Sequence, residues 1–105
     1  MGLDMTVQIQ HNFSKDEKGR NTWQVTQLAN LHNCWNILDH LGIENCTTQT
    51  VYGKHFYNIL DELKEDMGGQ DEMEYKAEIN KLEQFIKENN VQNDESQDYQ
   101  VHAWF

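Results

Sequence analysis

The side chains best suited to chemistry here are five histidines (His11, His32, His40, His55, His102) and two cysteines (Cys34, Cys46). Imidazole and thiolate could ligate a metal, or a cysteine could act as a nucleophile with a histidine as its base. The spacing supports neither. No HExxH, CxxC or H-x3-H occurs. His32 and Cys34 stand two apart, so on a helix they would diverge by roughly 200° and could not hold one ion. No glycine-rich elbow or cationic neighbour accompanies either cysteine to activate it. The histidines therefore read as surface or half-buried groups and the cysteines as small buried hydrophobes with free thiols. Ser14 and Ser96, the only serines, lie in polar stretches without a GxSxG setting. Phosphate loops are absent, and Gly68-Gly69 is flanked by Asp66 and Asp71, which would repel a phosphate. The reading is a non-enzyme with no cofactor and no metal. A small Cys/His enzyme or metal protein using His32, Cys34 or His55 remains an alternative.

Charge points more firmly toward a class of partner. Residues 1–60 hold five acids and four bases, whereas residues 61–105 hold thirteen acids and four lysines. That field repels nucleic acid and anionic membrane and attracts basic surfaces. Some of the acids have local partners. Glu72 precedes Lys76 by four, Glu83 precedes Lys87 by four and Glu78 precedes Lys81 by three, spacings that support a helix by about 0.2–0.5 kcal/mol each. Asp61, Glu62, Glu65 and Asp66 share one helix face without such relief, and Asp71, Glu72 and Glu74 follow. With Lys64 the single base, residues 61–74 carry a net −6.

These groups must be positioned by one small domain spanning residues 1–105. No apolar run approaches the roughly 18 residues that span a bilayer, and no secretory signal opens the chain. The expectation is a cytoplasmic protein. Leu3, Met5, Val7 and Ile9 alternate with polar residues and predict a strand. Residues 14–20 predict a hairpin connection, and Thr22 to Val25 the return strand with Trp23 on a sheet face. Leu28, Leu31, Trp35, Leu38 and Leu41 recur at helical spacing and predict a helix of about 14 residues with Trp35 in the core, stopped by Gly42. A short strand is expected near residues 49–52. Phe56, Ile59, Leu60, Leu63 and Met67 mark a second helix, ended by Gly68-Gly69. A third, capped by Asp71, carries Tyr75, Ile79, Leu82 and Ile86 and stops at Asn89-Asn90. Tyr99, Val101, Ala103 and Phe105 predict a final strand, with Trp104 and Phe105 on opposite sheet faces and one of them exposed. The fold expected is α+β: a small antiparallel sheet in the order β-β-α-(β)-α-α-β, first and last strands paired, three helices on one face.

The opening Gly2-Leu3-Asp4-Met5 resembles the GLDM start of a group of small phage and prophage proteins. Asn30-Leu31-His32 resembles that group's helical Asn-x-Ile-His-x-Trp motif, with Trp35 one position later than the motif places its tryptophan. Asn45-Cys46, Val51 to Leu60, an acidic helix and the aromatic ending Trp104-Phe105 extend the likeness, while Thr6-Val7 departs from it. The resemblance implies phage origin and brings no activity with it. At class level it suggests inhibitors of bacterial defence, of the anti-CRISPR and anti-restriction kind, whose acidic surfaces occupy basic nucleic-acid channels. The expected function is therefore a non-enzymatic acidic inhibitor acting in the host cytoplasm. It would bind a basic protein surface on a host effector through Asp61, Glu62, Glu65, Asp66, Asp71, Glu72, Glu74, Trp104 and Phe105. It would bind neither nucleic acid nor membrane directly. A self-associating phage protein that dimerises through its terminal strand is the second reading.

Overall fold

The computed structural model describes residues 2–15, 17–19, 21–67 and 73–105. Strands β1 (Asp4–Lys15) and β2 (Asn21–Asn30) form a long hairpin. Helix α1 (Trp35–Leu41), strand β3 (Thr47–Tyr52), helices α2 (Gly53–Met67) and α3 (Met73–Glu88) and strand β4 (Asp98–Trp104) follow. The sheet order is β2-β1-β4-β3 and every neighbouring pair is antiparallel. The expected α+β fold is observed, with the first and last strands paired from Asp4↔Trp104 to Gln8↔Gln100.

Alternation decides which sheet face is covered. Leu3, Met5 and Val7, with Val51, Tyr99, Val101 and Ala103, are buried against the helices. They meet Ile37, Leu38, Phe56, Leu63, Ile79, Leu82 and Phe85. Phe56, Phe85 and Tyr99 form a triangle of edge-on rings with centroids 5.0–6.1 Å apart. The other face is a polar ladder: Thr6 pairs with Asn30 on one side and His102 on the other, and His102 accepts or donates across to the Thr48 hydroxyl at 2.7 Å.

The first helix is half its expected length. Leu28 belongs to β2, beside a register shift, and Leu31 continues the hairpin by donating its N–H to the Met5 carbonyl at 2.7 Å. Asn33 N–H bonds the Leu3 carbonyl at 2.8 Å, and only then does α1 begin. The apolar residues of this segment have helical spacing, yet a free strand edge on β1 takes the first part of it. Trp35 is consequently the opening residue of α1, 36% exposed rather than in the core. His32 and Cys34 sit in the turn before the helix, where the Cys34 thiol donates to the His32 carbonyl at 3.6 Å.

Helix ends follow the expected chemistry. Gly42 is left-handed (φ 68°) and donates to the Leu38 carbonyl at 2.8 Å. Asn90 is left-handed (φ 50°), donating to Lys87, while Val91 donates to Ile86, the paired bonds that close a helix at a left-handed residue. The Gly68-Gly69 stop and the Asp71 cap lie outside the described residues, as do the side chains of Trp23 and His11.

Candidate functional site

Helix α2 buries Phe56, Ile59, Leu60 and Leu63 and turns Asp61, Glu62, Glu65 and Asp66 to solvent. The four carboxylates therefore share an outward face, as their spacing requires. Asp71 and Glu72 lie outside the described residues, and so does the side chain of Glu74. His40, in the last turn of α1, reaches this face with both ring nitrogens. Nδ1 lies 2.7 Å from Glu62 Oε2 and Nε2 lies 3.2 Å from Asp66 Oδ2. A neutral imidazole has one N–H and donates to one of these carboxylates; the imidazolium donates to both. Among the described residues Asp61 and Glu65 have no such partner.

Trp104 and Phe105 are 38% and 39% exposed, so both residues reach solvent rather than one. Trp104 ends β4 beside His102, ring centroids 5.3 Å apart. Phe105 meets Trp35 edge-on at 5.5 Å, and its N–H donates to Asn45 Oδ1 at 2.8 Å. The terminal strand is interior, with β1 and β3 on its two sides, so it offers no edge for a second copy. Helix α1 thus touches both groups of residues singled out by sequence. Trp35 at its start holds the aromatic end, and His40 near its finish holds the acidic face, about 7.5 Å of axial rise apart. Sequence reasoning missed this linking role because it placed Trp35 in the core.

Two of the charge pairs expected along α3, Glu78/Lys81 and Glu83/Lys87, are rearranged, while Glu72 of the third lies outside the described residues. Glu78 is 3% exposed and accepts from the backbone N–H groups of Asn36 (2.9 Å) and Ile37 (3.1 Å), both through Oε1, while the Asn36 side-chain amide donates to Oε2. It caps α1, whose own N-cap residue Cys34 supplies no side-chain bond. Lys81 donates to the His32 carbonyl at 2.9 Å instead of serving Glu78. Glu83 meets Lys64 of α2 at 3.6 Å.

Beside β3 lies a cleft of about 230 Å³ lined by His40, Gln49, His55, Asn58 and Glu62 over an apolar floor of Leu41, Val51 and Ile59. His55 Nδ1 accepts the Tyr52 N–H at 3.0 Å, closing the first turn of α2 in the manner of a capping box.

As a nucleophile Cys34 is unsuited. It is fully buried, and burial followed by the charge of Glu78 pushes its thiol up to about 11. Cys46, expected to be buried, is exposed and left-handed (φ 60°), bonded through its N–H to Ala103. Among the described residues no set of three or more His, Cys, Asp or Glu side chains converges as a metal site. None of the helices is long and apolar enough to cross a membrane, among the residues described. No family model, curated protein or solved structure matches the chain.

Proposed function

We propose that this chain is a non-enzymatic binding domain whose acidic α2 face docks a basic protein surface. The observation that carries the reading is the outward row Asp61, Glu62, Glu65 and Asp66, answered among the described residues only by His40. Two like-charge i,i+4 pairs on one helix cost it a few tenths of a kcal/mol each, so the row is a field held at the expense of helix stability. Such a field speeds encounter with a basic partner, while affinity needs a desolvated anchor. The Trp35–Phe105 pair and Trp104, at the far end of α1, supply exposed aromatic rings for that part.

The effector class that fits is a nucleic-acid-binding protein of host defence, whose Arg/Lys-lined groove the acidic face would occupy in place of a phosphate backbone. The GLDM-like opening and the phage class it resembles favour that choice, as does the strongly acidic charge balance.

The test is charge reversal measured against purified CRISPR and restriction effectors by surface-immobilised binding. Asp61→Lys/Glu65→Lys removes no ion pair and should weaken binding by about ten-fold or more with melting unchanged. Glu62→Lys/Glu65→Lys/Asp66→Lys, which also strips His40 of both partners, should abolish binding. Undiminished binding by both variants refutes the reading.

A further inference from the structure

Strand β3 is an outer strand of the sheet, paired on one side only. In an antiparallel pair alternate residues turn both backbone groups away from the neighbour. Two bonds fix the phase. Cys46 N–H bonds the Ala103 carbonyl opposite the strand's start, and Tyr52 N–H turns off the ladder to His55. Thr48 and Thr50 therefore direct their N–H and C=O groups outward.

Proteins guard such edges with charge, proline or bulges. Over Thr47–Tyr52 there is no charge and no proline, the register with β4 is unbroken, and four of six residues are exposed. The opposite edge, β2, is interrupted by a register shift at Leu28. Threonine, valine and tyrosine favour the extended form, so β3 stands ready to pair.

The cleft lies against this same edge. Gln49 and Val51, the β3 side chains on the helix side, form one wall of it, and His40, His55, Asn58 and Glu62 form the rest. A strand laid beside β3 would carry every second side chain over that cleft. We propose that the β3 edge and this cleft bind an extended basic segment of a partner protein by strand addition, with one Lys or Arg side chain entering beside Glu62. The proposal rests on the basic-partner reading above and names how that partner is held. Charge selects the occupant. A second copy paired through β3 would bring two molecules of net −10 together with Glu62 beside the seam, whereas a basic strand neutralises that charge.

The probe is a fluorescent peptide alternating Lys and Thr over about eight residues, against a Glu/Thr counterpart, read by anisotropy. Expected is binding of the Lys peptide about ten-fold or more tighter than the Glu peptide, with Thr48 and Thr50 amide protons gaining at least about ten-fold protection from exchange. A Lys peptide N-methylated at alternate amides, which leaves the protein unaltered, should lose that protection and most of its affinity. Thr50→Pro should do the same, since it removes an outward N–H that β4 does not use. Binding without Thr48 and Thr50 protection overturns strand addition while leaving the acidic-face reading intact, provided Asp61→Lys/Glu65→Lys still weakens it. Equal binding of the Lys and Glu peptides overturns both. Thr48 and Thr50 already protected in the free protein, together with sedimentation as a dimer, assigns the edge to a second copy and overturns the proposal.

Discussion

Glu78 offers the sharpest test of how this small domain is held together. Its Oε1 accepts both backbone N–H groups at the start of α1, and Oε2 takes the Asn36 amide. Glu78→Ala leaves two helix donors without an acceptor, at about 1–3 kcal/mol each. Relief of the carboxylate's own desolvation offsets part of that loss. A net destabilisation of about 2–4 kcal/mol follows, or a melting point lower by roughly 10–25 °C for a domain of this size. Glu78→Gln keeps a carbonyl oxygen where Oε1 stands, so both backbone bonds survive and the Asn36 amide need only flip. Its cost should be about 1 kcal/mol, the loss of charge assistance. Urea unfolding followed by far-ultraviolet circular dichroism gives the ranking directly. Alanine within about 0.5 kcal/mol of wild type would refute the cap, that being the scatter of ordinary surface changes. Glutamine as damaging as alanine would show that net charge, not acceptor geometry, holds α1.

Gly53→Ala runs against helix propensity. Alanine is worth about 1 kcal/mol over glycine inside a helix, but the added Cβ would lie 2.1 Å from the Gln92 carbonyl oxygen, so destabilisation of about 1–3 kcal/mol is expected on thermal melting. A thiol reagent should titrate Cys46 at once and Cys34 only on unfolding; two equally fast thiols would contradict the burial of Cys34. Because the folded Cys34 thiol titrates near 11 rather than 9.0, the fold favours the neutral form, and stability should hold below pH 9 and fall between these values by about 1.4 kcal/mol per unit. Cys34→Ala should flatten that alkaline slope. Asp94 is held below the ordinary value of 3.8 by its bonds from the Ser96 hydroxyl and N–H, and Glu95 is lowered by Lys54. These contacts support the fold above the ordinary carboxylate range and are lost as pH falls through the lowered values. The Ser96 amide shift should therefore titrate with a midpoint below 3.8, and a midpoint at or above it would contradict the bond.

Local pattern reveals β1, β2, β4, two of the helices and the stops at Gly42 and Asn90, because those residues do locally what the fold requires. Residues 28–33 fail that reading for a physical reason. Their apolar spacing suits a helix, but β1 leaves bonding groups facing them, and a ladder to Met5 and Leu3 satisfies backbone that a helix start would leave open. The acidic face was legible from i,i+4 spacing. His40 was not, since a contact between residues 22 and 26 apart in sequence leaves no local pattern. The i,i+3 pair Glu78/Lys81 misled for the opposite reason: α3 packs on α1, and both side chains serve a segment more than forty residues upstream. The β3 edge could have been noticed in the charge-free run from Asn45 to Gly53.

The pairing of β1 with β4 has a temporal meaning. Asp4 and Trp104 are neighbours in the sheet, yet a ribosome adds Trp104 one hundred residues after Asp4. Until the last seven-residue strand is released, β1 has no inner neighbour and β3 has none at all. The chain can form its hairpin and helices early, but its apolar layer closes only once β4 has left the ribosome and paired between β1 and β3. A message truncated before β4 would yield a product with an open sheet, exposed to degradation.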